Sequence, residues 1–135
     1  MGSAYPLAGC SILIVEDEPL IALEIAGVFD AAGAKVCTTN GLADALRLVE
    51  QRAWSGAVLD YRLGQDDVRR LCRCLAERSI PFMIYTGLAE LPETYPGAVV
   101  VQKPASGETL LTGMSELVSR KADAQKPLAQ AQVTP

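Results

Sequence analysis

The chain has 135 residues, 50% of them hydrophobic and 21% charged, with a formal net charge of -4 and a pI near 4.8. That length gives one domain with a proper core and leaves little room for a second, and the composition excludes a largely disordered chain. An acidic balance without a Lys/Arg cluster excludes nucleic-acid binding through a basic surface. No apolar run approaches the length of a membrane span, so a cytoplasmic location is expected.

Residues 1–10 read as a loose leader, followed by Ser11-Ile-Leu-Ile-Val15, a continuous apolar strand. Glu16-Asp17-Glu18-Pro19 comes next. Pro19 suits the first turn of a helix, acids before it favour the helix dipole, and Ile21, Ile25, Val28 and Phe29 recur at helical spacing up to Gly33. Ala34–Thr38 is a second strand, and Asn40 is placed to cap a helix with the stripe Leu42, Ala45, Leu46, Val49 and Ala53. The third strand, Gly56-Ala-Val-Leu-Asp60, reads as buried on both faces and ends abruptly in a single acid, with Tyr61-Arg-Leu-Gly64 following.

Asp66 or Asp67 is then expected to cap a third helix with Val68, Leu71, Cys72 and Leu75 inward, ending near Arg78. Ile80–Tyr85 is a fourth strand, ending in Thr86-Gly87. Residues 88–97 contain two prolines and little periodicity, which predicts a short or irregular fourth helix. Ala98–Val101 is a fifth strand, followed by Gln102-Lys103-Pro104. Ser106 caps a last helix with Leu110, Met114, Leu117 and Val118 inward and Glu108 and Glu116 outward. The domain therefore spans residues 11–120, and residues 121–135 read as a flexible tail.

The four cysteines, at 10, 37, 72 and 74, read as free thiols. There is no histidine to complete a zinc site, and the core needs no disulfides. Trp54, Tyr85 and Tyr95 read as packing residues.

Alternation of strands and helices at this spacing implies right-handed crossovers and an α/β fold. The expected architecture is a flavodoxin-like, doubly wound, five-stranded parallel sheet in the order 2-1-3-4-5. The order reverses between strands one and three, which places Glu16, Asp17 and Asp60 together at the carboxyl ends of the strands. Three carboxylates in one crevice disfavour one another's charge unless a cation lies between them. Oxygen ligands without His or Cys favour Mg²⁺, which takes few carboxylates and a phosphate oxygen. Lys103 adds a positive charge and Thr86 a hydroxyl. The set suits phosphoryl transfer to a carboxylate nucleophile, Asp60, with Asp17 and its helper Glu16 holding the metal.

These residues carry a resemblance. Ile-Leu-Ile-Val-Glu16-Asp17-Glu18-Pro19, Val-Leu-Asp60-Tyr-Arg-Leu-Gly, Tyr-Thr86-Gly87 and Gln-Lys103-Pro104 resemble, in order, four features of bacterial response-regulator receiver (CheY-like) domains. Those are the acidic pair, phosphoacceptor strand, switch threonine and Lys-Pro turn. The resemblance covers about residues 11–120. Pro81, Phe82, Thr86 and Gly87 further resemble the stand-alone FAT GUY receivers, named for a Phe-Ala-Thr-Gly-Gly/Tyr stretch, whereas Ile84, Tyr85 and Leu88 depart from it.

The resemblance implies a two-component phosphorelay response regulator rather than a metabolic enzyme. Asp60 would accept a phosphoryl group from a histidine kinase or histidine phosphotransfer protein, with Mg²⁺ on Asp17, Asp60 and the backbone carbonyl of Arg62. The domain would catalyse only its own phosphorylation and dephosphorylation, and would act as relay, sink or switch on a downstream protein, with a homodimer among the assemblies to test. Two departures qualify it. Val100 stands where receivers carry an aromatic switch residue, and Ala105 stands where Phe is frequent. They support an alternative, a receiver-like module that binds protein partners without phosphorylation.

Overall fold

The apolar runs pair side by side in the computed structural model, which describes residues 5–63 and 66–124. In chain order the elements are β1 (Ser11–Val15), α1 (Pro19–Ala31), β2 (Lys35–Thr39), α2 (Leu42–Gln51) and β3 (Gly56–Leu59). A two-residue pair follows, β4 (Arg62–Leu63) antiparallel to β5 (Asp66–Asp67), then α3 (Arg69–Glu77), β6 (Phe82–Thr86), β7 (Val99–Gln102) and α4 (Gly107–Ala124). The main sheet runs β2-β1-β3-β6-β7, all parallel. Counting its five strands, this is the expected order 2-1-3-4-5. Residues 1–4 of the leader, residues 64–65, and residues 125–135 of the tail lie outside the described residues.

Each face of the sheet has its own apolar layer. One holds Leu13, Ala57, Leu59 and Ile84 against Val49 of α2 and Leu71, Cys72 and Leu75 of α3. The other holds Ile12, Ile14, Val58, Met83 and Tyr85 against Ile25 and Phe29 of α1 and Leu110, Met114 and Leu117 of α4. β3 is buried at every position because helices cover both its faces, which explains a strand without alternation. Helix α4 lies so close over β3 that a Cβ on Gly56 would come within 2.7 Å of the Met114 sulfur.

Several local expectations are corrected. Helix α2 has Gly41 at its N-cap with no side-chain cap, so Asn40 lies one residue too early, and Ala53 falls beyond the helix and is exposed. Neither Asp66 nor Asp67 caps α3: both pair with β4 and the N-cap is Val68, because the hairpin occupies the residues that would have started the helix. Residues 87–98 contain bends and one turn but no helix, so the expected reduction of the fourth helix is complete. Ser106 does cap α4, its hydroxyl accepting from the Thr109 N–H at 3.1 Å, and that helix runs past Lys121 to Ala124.

The described part of the leader is packed. Leu7 is fully buried, and its N–H donates to Ala32 O at 2.9 Å. Gly33, at φ +97°, allows this approach: a Cβ there would meet the Tyr5 Cβ at 2.9 Å. All four cysteines are free thiols. No helix among the described residues is long and apolar enough to cross a membrane.

Candidate functional site

Four strand ends converge at one edge of the sheet. β1 and β3 pair with Val15 opposite Leu59, and the next N–H, that of Asp60, donates to Val15 O at 2.9 Å. Glu16 and Asp60 are thus consecutive exits from neighbouring strands. Their carboxylate oxygens and that of Asp17 all lie within 4.8 Å of one another. Glu16 is 3% and Asp60 8% exposed, while Asp17 is more open to solvent. β6 and β7 bring in the other two positions, joined by the Lys103 N–H donating to Thr86 O at 2.6 Å.

Each buried carboxylate is held by backbone. The Glu18 N–H donates to Glu16 Oε2 at 3.1 Å, and the Arg62 N–H to Asp60 Oδ1 at 3.0 Å. The Lys103 ammonium donates to Glu16 Oε1 at 3.0 Å and sits 3.4 Å from Asp60 Oδ2. It supplies one positive charge between two buried carboxyl groups. Burial, reinforced by the Asp60 charge, pushes the Glu16 carboxyl up from 4.5 to about 7, against the Glu18 N–H and Lys103, which pull it down. Burial alone would lower the Lys103 ammonium, but its hydrogen bond to Glu16 and the Asp60 charge prevail and hold it above its ordinary value.

Thr86 is 1% exposed, and its hydroxyl accepts from the Leu88 N–H at 3.1 Å. It stands at the adjacent strand end, turned toward its own loop. Arg62 opens β4 two residues beyond Asp60. The six positions singled out in sequence, Glu16, Asp17, Asp60, Arg62, Thr86 and Lys103, thus all fall at one end of the sheet. Val100 is 52% exposed on β7.

Two tyrosines read as packing residues do more. Tyr85 is buried, its ring centroid 5.5 Å from the Lys103 ammonium, and its hydroxyl accepts from the Ala105 N–H at 3.0 Å. Tyr95, in the segment between β6 and β7, shares a hydroxyl contact of 3.2 Å with Tyr61, the residue after Asp60, and their rings meet edge to face at 6.1 Å. Tyr95 also donates to Glu93, which pairs with Arg69 of α3 at 2.9 Å. Burial and the Tyr61 contact hold the Tyr95 phenol above its usual range. The only signal for Tyr85 in the sequence was its departure from the Phe-Ala-Thr pattern; Tyr61 and Tyr95, 34 residues apart, gave none.

No family profile matches the chain, and no curated protein matches it in sequence. Solved structures do match. The chain is similar to a response regulator receiver protein from Sinorhizobium medicae at 25% identity, covering 83% of this chain and 96% of that one, with a TM-score of 0.77. It is similar to the receiver domain of Francisella response regulator 1452 at 22% identity, covering 83% and 98%, with a TM-score of 0.72. A third is the receiver domain of the sensor histidine kinase PA1611 from Pseudomonas aeruginosa, which has a magnesium ion coordinated in its active-site cleft (21% identity, 83% and 99% covered, TM-score 0.73).

The fold is that of response-regulator receiver domains of the CheY-like kind. Receiver domains are signalling modules, and the fold supports a response-regulator role in a two-component system.

Proposed function

We propose that this chain is a phosphorelay receiver in which Asp60 accepts a phosphoryl group from a phosphohistidine on a histidine kinase or histidine phosphotransfer protein. The observation that carries this reading is the Lys103 ammonium, 3.4 Å from the carboxylate of Asp60, in a crevice that also holds Glu16 and Asp17. A carboxylate at a strand end, beside one cation and two further acids, is equipped to receive a phosphoryl group and poorly placed to serve the core.

In the forward step an Asp60 carboxylate oxygen attacks phosphorus. The new O–P bond forms as the P–N bond to the donor imidazole breaks, leaving its electron pair on nitrogen. In a separate hydrolytic step a water oxygen attacks phosphorus and the Asp60 O–P bond breaks, giving inorganic phosphate and the free carboxylate. Lys103 attracts the equatorial oxygens in both transition states, where charge is spread over them. The Thr86 hydroxyl, which accepts from the Leu88 N–H, donates its proton to a phosphoryl oxygen. Phosphorylation adds roughly -1.5 to -2 charges by analogy with other phosphomonoesters, enough to bias Thr86 and Lys103 toward Asp60.

The residues fit a hard divalent cation: three carboxylate oxygens within 4.8 Å, no histidine in the chain, and a buried acid whose pKa rises to about 7 without one. Asp17 and Asp60, with Glu16 as helper and the Arg62 carbonyl, would hold Mg²⁺, which supplies neutralisation of the phosphoryl oxygens. Output passes to a protein partner through the segment between β6 and β7, where the Tyr61–Tyr95 contact ties Asp60's own turn to residues 88–97.

The test is intact mass after incubation with acetyl phosphate and Mg²⁺. A gain of one phosphoryl group, abolished by EDTA and by Asp60→Asn, supports the reading. No gain in a folded protein overturns it in favour of the phosphorylation-independent binding module.

A further inference from the structure

We infer that Tyr85 is a positioning residue for Lys103, holding the ammonium beside Asp60 through a ring contact; the inference rests on the phosphoryl-transfer reading above. Lys103 is a long, rotamer-rich side chain on a loop, and its aim is set by what fixes its two ends. Its backbone is held before and after. The Lys103 N–H donates to Thr86 O at 2.6 Å, and two residues later the Ala105 N–H donates to the Tyr85 hydroxyl at 3.0 Å. The same Tyr85 ring faces the ammonium at 5.5 Å, within the range of an attractive cation–π contact.

One buried side chain with two rotatable bonds therefore touches both the charge of Lys103 and the backbone that carries it. Tyr85 and Ala105 belong to the same apolar layer, Tyr85 from β6 and Ala105 from the loop after β7. The carboxylates of Glu16 and Asp60 also hold the ammonium, at 3.0 and 3.4 Å. Those oxygens change partners when a phosphoryl group arrives, whereas the ring does not. Tyr85 is then the constant part of the Lys103 environment through the transfer.

The experiment compares Tyr85→Phe, which keeps the ring, with Tyr85→Leu, which removes it, and with Lys103→Gln alone and combined with Tyr85→Leu. Two readouts are taken on each: the Lys103 ε-methylene proton shifts by NMR, and the rate of phosphorylation by acetyl phosphate. Should Tyr85→Leu not fold, Tyr85→Met replaces it with a longer apolar chain that still lacks a ring.

The ring contact predicts upfield-shifted ε-methylene protons in the wild type and in Tyr85→Phe, returning to ordinary lysine values in Tyr85→Leu. The rate falls about threefold in Tyr85→Phe, from the lost hydrogen bond, and about tenfold in Tyr85→Leu. Lys103→Gln with Tyr85→Leu is no slower than Lys103→Gln. Unshifted protons in the wild type, or losses that multiply in the double variant, overturn the inference, since a residue acting on the fold at large would slow phosphorylation with or without Lys103. A wild type that takes no phosphoryl group overturns the reading of Asp60, while the NMR comparison still decides whether Tyr85 holds Lys103.

Discussion

Glu16 makes the metal-free protein sensitive to pH in a defined window. Its carboxyl is buried beside Asp60, and its pKa rises from 4.5 to about 7. The folded state therefore keeps a proton that the unfolded chain has released. Such a raised pKa contributes stability that is fully present below about pH 4.5 and is lost as pH rises through about 7. At about 1.4 kcal/mol for each tenfold change, the loss is about 3 kcal/mol, a large share of what a domain of this size has.

The assay is urea denaturation in EDTA at a series of pH values from 4 to 8, for wild type and for Glu16→Gln, which cannot titrate. The difference between the two cancels every other titrating group that the substitution leaves alone. The wild type should lose about 3 kcal/mol relative to Glu16→Gln across the range. A difference constant to within about 0.5 kcal/mol would refute the reasoning, because Glu16 would then titrate alike in both states.

Lys103→Ala should slow phosphorylation by acetyl phosphate on the order of a hundredfold, the usual scale for removing one oxyanion-stabilising group, as measured by intact mass against time. Tyr95→Phe removes one hydroxyl from the Tyr61–Tyr95–Glu93 chain. It should cost about 1 kcal/mol in denaturant melts and raise amide exchange in residues 88–97 by mass spectrometry, with α1 unchanged. Leu7→Ala should cost about 2 to 5 kcal/mol, the range for a buried leucine, whereas a loose leader would show no change in the same melt.

How much of this was legible in the sequence follows from which interactions are local. The inner strands are apolar runs broken by a polar residue, whereas the edge strand β2, Lys35–Thr39, is largely polar and half-exposed; β3 shows why the apolar run suffices: a strand covered on both faces has nothing but apolar positions until it leaves the sheet at Asp60. Strand order then brought Glu16 to Asp60 without further information.

Helix starts were less legible. Asn40 and Asp66 are good capping residues, yet capping contributes only about 1 kcal/mol, less than the packing and pairing that place the chain around them. Leu7 looked like part of a leader because one leucine among Pro, Gly and Ala has no period; what buries it is the apolar layer of α1 and β1, to which the backbone bond to Ala32, 25 residues on, ties it. Tyr85 and Tyr95 are in the same position. Their aromatic bodies announced burial, but the ammonium and hydroxyls they meet come from other segments.

The central claim is that Asp60 becomes an acyl phosphate, and trapping that bond tests it most directly. The protein would be phosphorylated by a phosphohistidine donor in Mg²⁺, reduced with borohydride, digested and sequenced by mass spectrometry. Borohydride converts an aspartyl phosphate to homoserine and leaves a free aspartate untouched. The account predicts homoserine at Asp60 alone, dependent on donor and metal and retained at reduced yield in Lys103→Ala. An unmodified Asp60, or homoserine at Asp17 or Glu16's neighbour Glu18 converted to its own reduced alcohol instead, would contradict it.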